Sequence, residues 1–204
     1  NGIDLADWPF RPKGDGTAVW MGRITPTKGT RLAAQAAKIA GIPLRIYGTI
    51  EDQSYFDTEI APLLGERVQY GGHLQGADLT EAIGRASVLL FTPLWDEPFG
   101  LAAIEAMACG LPIAAVENGA IREVAGNVAR YAGADAGELA KALKGAIGIP
   151  RRAARKRVER LFTLERMLDE YEGLYGHAIH SVYSAFEVPP FAVFELPLTE
   201  YASL

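Results

Sequence analysis

Short apolar runs alternate with helix-forming segments along this chain, and that order limits its fold more than any other feature. Residues 18–21, 44–47, 67–70, 87–91, 112–116 and 127–131 read as strands, apolar throughout and not alternating apolar with polar. Between and after them, residues 28–40, 52–64, 78–85, 98–109, 121–125, 135–147 and 151–176 read as helices. Leu32, Ala36 and Ile39 recur at helical spacing before Gly41 and Pro43 end that helix. Asp78, with Glu81 three residues on, has the form of a capping box. Apolar strands separated by helices are buried on both sides. The expected fold is therefore α/β, a Rossmann-like parallel sheet with helices on both faces. Ligands of such sheets sit beyond the carboxyl ends of the strands. Function is expected just after Met21, Tyr47, Tyr70, Phe91 and Val116.

Composition excludes several classes. The 204 residues are 49% hydrophobic and 22% charged, enough for a core without disulfide or metal. A formal charge of −5 provides no overall basic field for nucleic acid. Cys109 is the sole cysteine, which excludes an internal disulfide and any zinc site built on paired cysteines. A lone thiol fits a reducing, cytoplasmic setting. No apolar run approaches the ~18 residues of a membrane span. The first residues have neither the basic start nor the apolar stretch of a signal peptide. A start at Asn1 without an initiator Met reads as a fragment or a processed chain.

The most informative stretch runs from Trp95 to Pro112. Pro98 suits the first turn of a helix, having no N–H to lose and a φ already helical. Gly110 and Pro112 close that helix. The amides of Phe99, Gly100 and Leu101 then open it without intrahelical partners, at its positive end. That is an anion site, which Gly100 lets a phosphate approach. Glu97 lies just before, and Glu105 falls two turns in, nearly on the face of residues 98 and 101. Carboxylates accept paired hydrogen bonds from sugar hydroxyls. A plainer reading makes Glu97 a first-turn carboxylate favoured by the helix dipole and Glu105 a solvated residue. Against it, Glu105 is surrounded by Ala102, Ala103, Ile104, Ala106, Met107 and Ala108, where an unpaired carboxylate is costly to bury.

The second stretch, Gly22 to Gly29, also follows a strand and opens a helix. Arg23 and Lys28 would neutralise a diphosphate, the first as a fork and the second as a point charge. As residue types alone they equally suit two surface cations beside a turn.

Together these stretches resemble the C-terminal half of the GT-B glycosyltransferases, most of all glycosyltransferase family 4, over residues 1 to about 177. Glu97 through Glu105 matches the family's Glu-x7-Glu motif, continued as Glu-Ala-Met-Ala-x-Gly-x-Pro from Glu105. Gly22-Arg23 with Lys28-Gly29 matches its donor-phosphate motif, and Asn1-Gly2-Ile3-Asp4 looks like the entry from the N-terminal half. The resemblance implies a retaining hexosyltransferase that uses a nucleotide-diphosphate sugar as substrate, with no cofactor. Arg23, Lys28 and Glu97 would be catalytic. Arg23 and Lys28 would grip the diphosphate, and Glu97 would hold the transferred sugar. The amides of Phe99, Gly100 and Leu101 would cap the phosphate, and Glu105 would take the ribose. Gly22 belongs to the phosphate turn. The turn at Gly72, His73 and Leu74 would cradle the base, with Gly48 and Thr49 lining its pocket. The implied organisation is an inter-domain lead-in at 1–16, a nucleotide-sugar-binding domain at 17–177 and a tail at 178–204. The acceptor-binding N-terminal domain is missing from this sequence, and the acceptor is unknown. Ile121-Arg122-Glu123 departs from the Pro-Glu common in relatives, so Arg122 is either structural or a ligand contact.

The remaining signals are weaker. Arg151, Arg152, Arg155, Lys156, Arg157 and Arg160 form a basic run, read first as a solvated helix face and second as a peripheral contact for anionic lipid or for an acidic acceptor. His177 and His180 lie three apart, but nothing places His73 near them, so no metal site is expected. No Asp-x-Asp occurs. The aromatic, Pro-rich tail reads either as packing on the missing half or as a loose terminus. Cys109 reads as a buried structural thiol. A dehydrogenase is excluded because no Gly-x-Gly-x-x-Gly follows a strand, and a P-loop enzyme because Gly-Lys-Ser/Thr is absent. Two functions stay open: the donor half of a sugar transferase, and a nucleotide-binding module without turnover of its own.

Overall fold

The computed structural model describes residues 1–185, with side chains to 181. Six strands form one parallel sheet: β1 (Ala18–Met21), β2 (Leu44–Tyr47), β3 (Val68–Tyr70), β4 (Val88–Phe91), β5 (Ile113–Val116) and β6 (Ala129–Ala132). Their order is β3-β2-β1-β4-β5-β6, the doubly wound arrangement of a Rossmann-like fold. The chain reverses its direction of travel between β1 and β4, so the expected ligand crevice opens there. The helices are α1 (Thr30–Ala40), α2 (Gln53–Tyr55), α3 (Gly76–Arg85), α4 (Leu101–Ala108), α5 (Ile121–Ala125), α6 (Ala136–Ala146), α7 (Arg151–Leu161) and α8 (Leu164–Ala185).

Alternate strand residues feed two cores. Val19, Leu89, Phe91, Ile113 and Ala115 pack with residues of α3, α4, α5 and α7. Ala18, Trp20, Leu44, Ile46, Leu90 and Ala114 pack with α1 and α6. The sheet edge departs from the expected unbroken apolar pattern. Arg45 is half-buried and Gln69 exposed, between the buried Leu44, Ile46 and Val68.

Several expected boundaries move, each for a local reason. The helix expected from residue 28 starts at Thr30, after a separate 3-10 turn at Pro26–Lys28. Gly29 divides them at φ +68°, where a Cβ would lie 2.1 Å from the Thr92 carbonyl oxygen. The 52–64 helix is broken into α2, a π-turn at Phe56–Ile60 and a 3-10 turn at Ala61–Leu63. Pro62 cannot donate to a regular ladder there. Asp78 does not cap its helix. The chain enters at Gln75, whose carbonyl accepts from Leu79 N–H at 3.5 Å, and Asp78 sits inside the first turn. The expected helix over 151–176 is two helices, because Ile3 of the lead-in intervenes. Ile3 N–H donates to the Phe162 carbonyl and Leu164 N–H to the Ile3 carbonyl, both at 3.0 Å.

Only half of the basic run is a solvated face. Arg151 donates to the carbonyls of Arg11 (2.8 Å), Ala86 (2.6 Å), Gly84 (3.0 Å) and Cys109 (3.2 Å). Arg155 reaches the carbonyls of Trp8 and Ala108, and Arg157 those of Val124 and Glu123. These three guanidinium groups close the carbonyl ends of α3, α4 and α5, which helices leave without partners. Arg152, Lys156 and Arg160 are the exposed cations of the run, with the Arg152 guanidinium over the Phe10 ring. The lead-in at 1–16 is thereby fastened along the domain, with Arg11 N–H also donating to the Cys109 carbonyl at 3.1 Å.

The chain divides into two compact units, residues 1–167 and 168–204. In the second, α8 continues through the boundary expected at 177, with Tyr171 and Tyr175 in ring contact at 6.1 Å. Residues 186–204, most of the expected tail, lie outside the described residues.

Candidate functional site

The two motif loops are laced together at the crevice between β1 and β4. Leu94 N–H donates to the Thr27 carbonyl at 2.7 Å. The Thr92 hydroxyl lies 2.9 Å from the Lys28 carbonyl and 3.0 Å from that of Gly29, and accepts from the buried Trp20 indole N–H at 2.9 Å. Held in this way, Lys28 extends its Nζ to Glu97 Oε2 at 2.5 Å, with the Trp95 ring centroid 5.0 Å away. Both side chains of this pair are shielded, 21% and 15% exposed, so an entering anion competes with Glu97 for Lys28. Glu97 is fixed from behind. Its carbonyl accepts from Ala120 N–H at 2.9 Å, and Gly119 approaches its backbone where a Cβ would come within 2.3 Å.

The expected helix start is corrected. α4 opens at Leu101, with Gly100 at its N-cap, so Pro98 lies outside the helix and not in its first turn. Gly100 is left-handed (φ +91°), and a Cβ on it would lie 2.7 Å from Phe91 Cζ. Of the three amides expected to open the helix, only that of Leu101 is inside it. Those of Phe99 and Gly100 belong to the approach loop. Ala103 N–H already donates to the Gly100 carbonyl at 2.9 Å. Phe99, Gly100, Leu101 and Ala102 line the crevice, and their amides have no protein partner among the described residues.

The successive strand-end loops pack backbone to backbone. Gly22 N–H donates to the Tyr47 carbonyl (3.1 Å), Gly48 N–H to Gly72 (2.9 Å) and Gly71 N–H to Ile46 (2.9 Å). Gly48 approaches Gly22 so closely that a Cβ would sit 1.7 Å from its oxygen. Over these loops lie two adjoining cavities. One, about 420 Å³, is lined by Gly22, Arg23, Lys28, Glu97, Phe99, Gly100 and Leu101. The other, about 240 Å³, is lined by Gly22, Arg23, Gly48, Thr49, His73, Leu74 and Glu105. Met21, Gly22, Arg23 and Ala102 border both. Of the expected site residues only Gly72 lines neither, and it contributes the carbonyl that holds Gly48.

Burial raises the Glu105 carboxyl above its ordinary range, which answers the solvated reading of that residue. Arg122 makes two contacts at 2.5 Å to Glu117, lies 4.4 Å over the Tyr131 ring and lines neither cavity. Cys109 is buried and its thiol is pushed up to about 11 by that burial. Among the described residues no group of three His, Cys, Asp or Glu could hold a metal ion, and no helix is long and apolar enough to cross a membrane. Sequence reasoning missed the supports: Thr92 and Trp20 under Lys28, Gly119 behind Glu97, and Glu51, whose carboxylate binds Arg23. All are long-range contacts with no local pattern.

The family model for glycosyl transferases group 1 matches residues 7–159. A glycogen synthase of Mycobacterium tuberculosis is 31% identical over 169 residues, covering 76% of this chain and 41% of that protein. A D-inositol 3-phosphate glycosyltransferase of Mycobacterium avium is 29% identical over 154 residues, covering 70% and 36%. The chain thus spans about two fifths of the length of these curated relatives. Among solved structures, sucrose-phosphate synthase from Thermosynechococcus elongatus superposes with TM-score 0.75 at 25% identity, over 88% of this chain and 52% of that one. The Anabaena protein HepE, in complex with UDP and glucose, has the same fold, with TM-score 0.74 at 20% identity over 87% and 56%.

Proposed function

This chain belongs to the glycosyl transferases group 1 family, and on that premise we propose that it is the donor-binding half of a retaining glycosyltransferase, moving a hexose from a nucleoside diphosphate sugar to an acceptor hydroxyl. The observation that carries the reading is the meeting of Lys28, Glu97 and the unpartnered amides around Gly100 at the strand-order reversal. A chain of the same fold holding UDP and glucose is consistent with it.

In this reading the diphosphate crosses Gly22, between the two cavities. Lys28 leaves Glu97 for phosphate oxygen, Arg23 adds a second cation, and the amides from Phe99 to Ala102 surround the phosphate next to the sugar. Glu97, released, accepts hydroxyls of the transferred sugar. Glu105 accepts the ribose hydroxyls, while Gly48, His73 and Leu74 frame the base. When the sugar leaves, negative charge grows on the diphosphate. Once engaged, these cations and amides stabilise that charge more than they stabilise the intact donor. In this reading the charge falls to side chains and amides, and no metal is proposed. The lone buried thiol suits a reducing, cytoplasmic setting. For these 204 residues alone the expected activity is binding without turnover, since transfer also needs an acceptor held in place.

Calorimetric titration with UDP, GDP and ADP, repeated on Glu105→Ala, tests this. One nucleotide should bind, and the substitution should weaken it at least tenfold, which is ~1.4 kcal/mol. Absence of binding by all three overturns the donor-site reading.

A further inference from the structure

Arg23 borders both cavities, yet its guanidinium is already paired, with Glu51. Its Nη1 lies 3.0 Å from both Glu51 carboxylate oxygens. The backbone sets this pairing. Arg23 precedes Ile24 and Glu51 follows Ile50, and those two isoleucines form a bridge between the β1–α1 and β2–α2 loops. Ile24 N–H donates to the Thr49 carbonyl at 2.9 Å, Asp52 N–H donates to the Ile24 carbonyl at 3.3 Å, and Ile24 is fully buried. Glu51 is therefore stationed beside Arg23 by two loops in register. Yet only one guanidinium nitrogen is engaged, and the side chains are 67% and 47% exposed. Exposed pairs of this kind are weak and readily exchanged, unlike the shielded Lys28–Glu97 pair.

We propose that Glu51 is a positioning residue, a latch that holds Arg23 off the diphosphate position until an anion displaces it, and that it thereby sets affinity for the charged part of the nucleotide. The proposal rests on the donor-site reading. A diphosphate offers the guanidinium two oxygens in one plane, which its fork matches better than a single-nitrogen contact. Opening the latch opposes binding of the diphosphate and leaves the nucleoside portion unaffected.

The test compares wild type with Glu51→Gln by titration of UDP, ADP and GDP against uridine, adenosine and guanosine. Glu51→Gln should tighten the bound diphosphate about two- to fivefold, leave its nucleoside unchanged, and lose this advantage as salt is raised. Glu51→Asp, which keeps the charge, should stay nearer wild type. In an Arg23→Ala background the gain should vanish. Equal diphosphate affinity in wild type and Glu51→Gln overturns the latch. So does an equal gain for the nucleoside. A gain that survives Arg23→Ala also overturns it, because it reports only a negative charge near phosphate. Failure of wild type and variant alike to bind any diphosphate overturns the donor-site reading itself, and the latch with it.

Discussion

Replacing Arg151 by Ala should unfold the domain earlier than any other single change in the basic run. One guanidinium serves four carbonyls: Gly84 and Ala86 at the end of α3, Cys109 after α4, and Arg11 in the lead-in. Hydrogen bonds from a charged donor contribute ~1.5–3 kcal/mol each. The group is only half-buried, so water replaces part of what is lost, and a total of about 2–4 kcal/mol is expected. For a domain of this size that lowers the melting temperature by about 5–15 °C. Thermal and urea unfolding monitored by circular dichroism measure it. Arg160→Ala is the control, since that side chain is exposed and has no hydrogen bond or ion pair among the described residues, and it should stay within about 0.5 kcal/mol of wild type. Arg151→Lys should recover less than half of the loss, because three donors on one nitrogen cannot span four carbonyls. If Arg151→Ala and Arg160→Ala unfold alike, or if lysine restores stability fully, the carbonyl clamp is not what stabilises this corner.

Two other outcomes follow from the geometry. Glu105 has a raised carboxyl pKa because it is buried, so the folded state binds a proton that the unfolded state has released. Stability from this group then falls as pH rises from the ordinary carboxyl value of ~4.3 to the raised folded value. Glu105→Gln should therefore gain melting temperature relative to wild type as pH rises through that window, while nucleotide affinity drops. A constant difference from pH 4 to 7 contradicts the assignment. Gly48→Ala should cost about 3 kcal/mol or more and abolish nucleotide binding, since its Cβ would overlap the Gly22 oxygen. Gly72→Ala has open space around it and should cost only the ~1–2 kcal/mol of a left-handed residue. Urea midpoints that rank the two equally refute the close-approach argument.

Periodicity made the sheet legible, because each strand's burial is written in consecutive residues. All six strands appear within a residue or two of their expected places. The motif loops were legible as well, since glycines, cations and carboxylates next to strand ends mark the ligand side of such a sheet. Helix beginnings were less so. Gly100 reads as an aid to phosphate approach and Gly29 as part of a helix and of the phosphate motif, yet each is required by a neighbour distant in sequence, Phe91 and Thr92 respectively.

The sequence by itself determined the order of strands and helices, the ligand-facing edge and the residue types gathered there, because these follow from local spacing and chemistry. Only the tertiary structure decided which charges meet. It set Lys28 on Glu97, Arg23 on Glu51 and Arg151 on the carbonyl ends of two helices. A basic run carries no mark of whether its guanidinium groups face water or unpartnered carbonyls. That depends on where the other segments end in space, which no local pattern encodes.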